Sequence, residues 1–95
     1  VAKAKHKIQQ GDVVAVHWAD HTGFRKVAIV PGSLTLTKLV TYGEVLSPVN
    51  SDGGIEIVQE REVESGGENN DACVIDIGAV KKIVGYRVAW EIDME

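Results

Sequence analysis

At 95 residues and 44% apolar, the chain has room for one compact domain and none for a second, near the lower end of sizes that bury a useful core without a disulfide or a metal. Its single cysteine, Cys73, excludes an internal disulfide and fits a reducing cytoplasm; no apolar run is long enough for a membrane-spanning helix and the first residues lack the apolar core of a signal peptide, so a soluble cytoplasmic protein is expected. The net charge of −4 is unevenly spread, six cations against two acids in residues 1–38 and four against twelve in 39–95, which argues against indiscriminate nucleic-acid binding but leaves room for a local basic patch.

Residues 1–10 are a basic arm, with Lys3, Lys5 and Lys7 alternating before Ile8, its late apolar anchor; it is predicted to be mobile or at most a short edge strand. Residues 11–95 are predicted to form a single β domain. Gly11-Asp12 signals a turn. In residues 13–18, Val14, Val16 and Trp18 share one face and Val13, Ala15 and His17 the other, which predicts a strand. Residues 20–23 read as a turn and 25–30 as a second strand, with Val27 and Ile29 pointing together, until Pro31-Gly32-Ser33 breaks it. Leu34 and Leu36 then alternate with Thr35 and Thr37, and so many β-branched side chains disfavour a helix.

The centre of the chain is a predicted β-hairpin. Residues 41–46 and 55–58 are extended segments, and the turn between them, 48–54, ends in two glycines able to take positive φ. Residues 59–71 carry many charges and one apolar side chain, Val63, too little to offset the entropy of ordering them; a flexible acidic loop is expected. The β pattern resumes at 72–77, with Cys73, Ile75 and Ile77 on one face, as the hairpin's partner strand. Residues 78–83 fit a 3₁₀ turn or tight bend. From 84 to 92 the alternation is the cleanest in the chain, Val84, Tyr86, Val88, Trp90 and Ile92 against Gly85, Arg87, Ala89, Glu91 and Asp93, and it predicts a last strand that closes or extends the sheet. Trp18 and Trp90 both fall on apolar faces and are expected in the core. Five to six short strands without an amphipathic helix predict an all-β fold, a small SH3-like or Sm-like barrel.

No residue set points to catalysis, a metal or a cofactor. His17, His21 and Cys73 are natural zinc ligands, but their spacing is no known finger and a His-x-x-x-His pair needs a helix to bring both rings together. Glu56, Glu60, Glu62 and Glu64, with Asp52 nearby, are better read as a wet, self-repelling face than as an acid and base pair. There is no Gly-x-Ser-x-Gly and no glycine-rich loop feeding a helix. Phe24 is the aromatic outside a core pattern. Beside Gly23 at a loop tip, with Arg25 and Lys26, it is the candidate partner-binding anchor. The alternative is a nucleic-acid surface built from Lys3, Lys5, Lys7, Arg25 and Lys26, with Phe24 stacking a base.

Val14-x-Val16-x-Trp18-x-Asp20, Thr41-x-Gly43-x-Val45, Ile55-x-Ile57 and the segment 74–83 together resemble a group of small bacteriophage and prophage proteins. Those proteins have a Trp-x-Asp strand end, a Thr-or-Ser-x-Gly strand and a closing Ile-Pro-x-x-x-Ile-x-x-Ile segment; here Asp76 stands at the proline position. The resemblance spans residues 14–83 and implies a small β-barrel in a viral setting, with no catalytic residue to transfer. Gly43 in a bent second strand and Ile77-Gly78 near the end also resemble the Sm-like RNA-binding proteins, without their leading helix. The expected function is therefore a non-enzymatic binding protein, an accessory or host-directed protein of phage type with a protein partner. A nucleic-acid-binding barrel and a homo-oligomer enclosing a small ligand are the alternatives.

Overall fold

A computed structural model describes residues 7–20, 37–63 and 70–94. They form one five-stranded antiparallel sheet, β1 (Val13–Asp20), β2 (Thr37–Ser47), β3 (Gly54–Glu60), β4 (Asp71–Asp76) and β5 (Val80–Tyr86), in the order β4-β3-β2-β1-β5. A single 3₁₀ turn, Ile77–Ala79, links β4 to β5, and there is no α-helix among the described residues. The predicted strand at 25–30, the Phe24 loop and the acidic tip at 64–69 lie outside the described residues.

The central hairpin forms as its sequence predicts, β2 and β3 joined by a turn that Asn50 organises. The Asn50 N–H donates to the Gly54 carbonyl at 2.8 Å, and the side-chain oxygen accepts from the N–H groups of Asp52 at 3.0 Å and Gly54 at 2.9 Å. Its amide nitrogen donates to Glu56 at 2.9 Å, so one side chain ties the turn to the strand that follows. Of the two glycines, Gly53 takes positive φ, at 78°. A second turn precedes β1. There Gly11, at φ 93°, donates to the Val45 carbonyl at 2.8 Å, while the Asp12 carbonyl accepts from Val45 N–H at 2.8 Å.

Val14, Val16, Val45, Ile55, Ile57 and Ile75 form the core, with Ile8, Trp18, Cys73, Val80 and Ile83 packed around it. Full burial of Val16, Val45, Ile55 and Ile57 stabilises the fold by about 1.5–3 kcal/mol for each side chain. Trp18 is half-buried and its indole N–H donates to Thr41 Oγ1 at 2.9 Å, which satisfies the polar end of the ring.

Three expectations are corrected. The sheet is not a closed barrel, because the outer strands β4 and β5 do not pair. Both run opposite to strands of the same sense, β3 and β1, so they run in the same direction, and a three-residue link cannot set parallel strands side by side. The sheet instead curls, with Ile75 from one edge and Ile83 from the other meeting a common core. Next, Ile77 leaves the strand face for the 3₁₀ turn, where the Asp76 carboxylate accepts from Gly78 N–H at 2.9 Å; β5 starts at Val80, before the expected bend has ended.

The third correction concerns residues 84–92. β5 stops at Tyr86, and residues 87–94 have no regular secondary structure. Val14 pairs with Gly85 and Val16 with Ile83, and a register shift after His17 sets Val80 opposite Trp18. The inward positions are therefore 80, 83 and 85. Val84 and Tyr86 belong to the outer face, and Trp90, beyond the end of the strand, is 76% exposed instead of buried.

Candidate functional site

On the outer face, β1 lies between β2 and β5, with Ala15 opposite Tyr42 on one side and Val84 on the other, and Val13 opposite Tyr86. The two tyrosine rings meet across β1 with centroids 6.5 Å apart and planes at 43°. Ala15 beneath them is fully buried, while Tyr42 and Tyr86 remain 62% and 51% exposed. Val13 and Val40 extend the same apolar face and are also exposed. Aromatic side chains held this way by a sheet are rigid and amphipathic, the properties of interface anchors.

A second feature lies where the arm meets β5. Ile8, Val14, Val80 and Ile83 line an open groove of about 600 Å³, joined by Lys81, Lys82 and Arg87, with Asp12 among them. Asp12 also accepts the N–H of Gln9 at 2.9 Å, which closes the turn before β1. A smaller hollow of about 200 Å³ lies beside His17, Trp18, Lys38 and Leu39.

Of the residues singled out in the sequence, Phe24, Arg25, Lys26, Lys3 and Lys5 lie outside the described residues. Lys7 is exposed and precedes Ile8 at the groove. His17 is on the outer face of β1, and Cys73 is on β4, with β2 and β3 between them in the sheet order. Burial pushes the Cys73 thiol up from its ordinary value, so it stays protonated and weakly nucleophilic at neutral pH. Among the described residues no three His, Cys, Asp or Glu side chains converge as metal ligands. The acidic residues do not form the expected aligned face: Glu56 accepts from Asn50, the register shifts between Val58 and Glu60, and Glu62 lies beyond the strand with its N–H donating to Asn70 at 3.0 Å. Arg61 reaches Glu44 at 2.6 Å in an exposed pair, worth at most about 1 kcal/mol.

The residues that sequence reasoning missed are Tyr42, Tyr86, Lys81, Lys82 and Arg87. The tyrosines carry a signal only once β1 is known to lie between β2 and β5. The cations become a cluster only through the pairing of β5 with β1, which sets Lys81, Lys82 and Arg87 along the groove beside Ile8.

No family model, no curated protein and no solved structure matches this chain. No helix among the described residues is long and apolar enough to cross a membrane.

Proposed function

We propose that this protein is a non-enzymatic binding module of the cytoplasm, a curled sheet of SH3-like or Sm-like type that engages a protein partner through the outer face of β1, β2 and β5. The observation that carries this reading is the Tyr42–Tyr86 pair: two half-exposed rings held in contact over a buried alanine, extended by Val13 and Val40. An apolar, aromatic sheet face of this kind is costly to leave in water and well suited to a partner. Strand order, the 3₁₀ link before β5 and Gly43 at a close approach on β2 support the SH3-like or Sm-like type. The phage-type, accessory or host-directed role rests on the motif resemblance at residues 14–83, and Phe24, Arg25 and Lys26 remain its proposed loop anchor.

The test is capture from a nuclease-treated bacterial lysate, comparing the parent with a Val40→Ser, Tyr42→Ser variant. A protein retained by the parent should be lost about tenfold or more from the variant, whose melting transition stays close to the parent's. Equal retention by both removes the outer face as the binding surface.

One observation favours a second reading. Lys81, Lys82 and Arg87 gather at the groove next to Lys7, so a basic surface exists beyond the predicted Lys3, Lys5, Arg25 and Lys26. A nucleic-acid ligand would give binding that falls steeply with added salt, and a flat salt response would eliminate it.

A further inference from the structure

Residues 87–94 continue from β5 with their apolar side chains uncovered: Val88, Trp90, Ile92 and Met94 are 85%, 76%, 66% and 87% exposed. Aromatic and β-branched residues alternating with others are the composition of a strand, here without a strand beside it. Its charged side chains beyond Arg87 are acids, among them Glu91. The same chain carries a complementary receptor. The groove beside β5 has an apolar wall of Ile8, Val80 and Ile83, cations at Lys81 and Lys82, and a volume of about 600 Å³, within the range of cavities that bury a ligand's bulky groups.

We propose that this groove receives residues 87–94 of a second copy of the chain, with Trp90 against Ile8, Val80 and Ile83 and Glu91 facing Lys81 and Lys82. The chain's own segment is a poor occupant. Arg87 is part of the groove wall, so Trp90 would have to turn back within three residues, and residues 87–95 contain no Gly, Pro or Asn to make that reversal. A second copy meets no such constraint, and when each copy gives one segment and receives one the assembly closes as a pair. Val13 and Tyr86 border the groove as well as the outer face, whereas Val40 and Tyr42 do not line it, so substitutions at those two positions separate the exchange from the outer-face reading.

Sedimentation of the full chain tests the exchange. The parent should have twice the 10.3 kDa mass of one chain at about micromolar concentration. Trp90→Ser should weaken the dimer about 30-fold or more, as loss of an anchoring indole does, and Glu91→Lys about tenfold, more at low salt. Both positions are exposed in the single chain, so neither change should alter folding. Ile8→Asp should also give a monomer, and mixing it with Trp90→Ser should restore a one-to-one dimer, because one retains its segment and the other its groove. The Val40→Ser, Tyr42→Ser variant should dimerise like the parent, which separates failure of this exchange from failure of the outer-face reading. A parent that stays monomeric overturns the exchange; Trp90 shielded from quencher then identifies the chain's own groove as host, and Trp90 open to quencher another partner. A dimer that Trp90→Ser leaves intact, or that the outer-face variant abolishes, overturns it as well.

Discussion

Gly43 shows how one missing side chain fixes the curvature of the sheet. It pairs with Val14 on one side, and on the other a Cβ would collide with Ile57 Cγ2 and stand 2.5 Å from the Val58 carbonyl oxygen. The obstacle includes backbone, which a rotamer change cannot move. Gly43→Ala should therefore destabilise the fold by about 3 kcal/mol, seen as a lower urea midpoint; an unchanged midpoint would mean that β3 can step away from β2. Cys73 supplies a second prediction at this scale. Burial raises its thiol above the ordinary value of 9.0. The folded chain then holds the proton more tightly than the unfolded chain, so this contribution to stability is complete below the unfolded value and is lost as pH rises through the folded one. Between about pH 8 and pH 10, Cys73→Ala should lose less stability than the parent, as urea midpoints would show. Parallel losses would assign the titration to another group.

Elements differ in how far the sequence exposes them. The β2–β3 hairpin was legible because its signals are local: alternation in each arm and a turn rich in Asn, Asp and Gly between them. The end of β5 was not, because alternation shows only that a segment has two faces, and which face turns inward is decided by the pairing with β1, which sets Gly85 opposite the buried Val14. The same limit hid the tyrosine face and the groove, both assembled from strands distant in the chain. At the β4–β5 link the tolerance of position 76 for proline can be tested directly. Asp76 has φ −56°, close to proline's own value, and Ile77 N–H donates to the Gly53 carbonyl, the pattern in which the N–H of Asp76 points away from β3. Asp76→Pro should leave stability within about 1 kcal/mol of the parent, the lost bond to Gly78 offset by a stiffer unfolded chain. A loss of about 3 kcal/mol or more would show that the N–H is needed where it is.

For the whole molecule, the sheet draws its two edges from adjacent stretches of sequence and its middle from distant ones. The all-β class followed from composition and patterning, and the described residues hold five of the five to six strands expected, whereas closure did not follow, since the direction of β4 relative to β5 is set by pairings far apart in the chain. The outer face and the 87–94 segment together leave Tyr42, Tyr86, Val88, Trp90 and Ile92 in contact with water, more than a small monomeric domain needs. Val13 and Tyr86 border both the outer face and the groove, so a ligand on one of these surfaces would narrow the other.

The position of β1 between β2 and β5 has a consequence for synthesis. Val14 pairs with Gly85, about seventy residues later, so one edge of β1 stays unsatisfied while that intervening stretch is being made. During that interval the nascent chain presents an apolar edge strand, and neither Val14 nor Val16 has both of its strand partners until β5 has emerged. β5 is thus the strand that ends the exposure of β1 to misassembly.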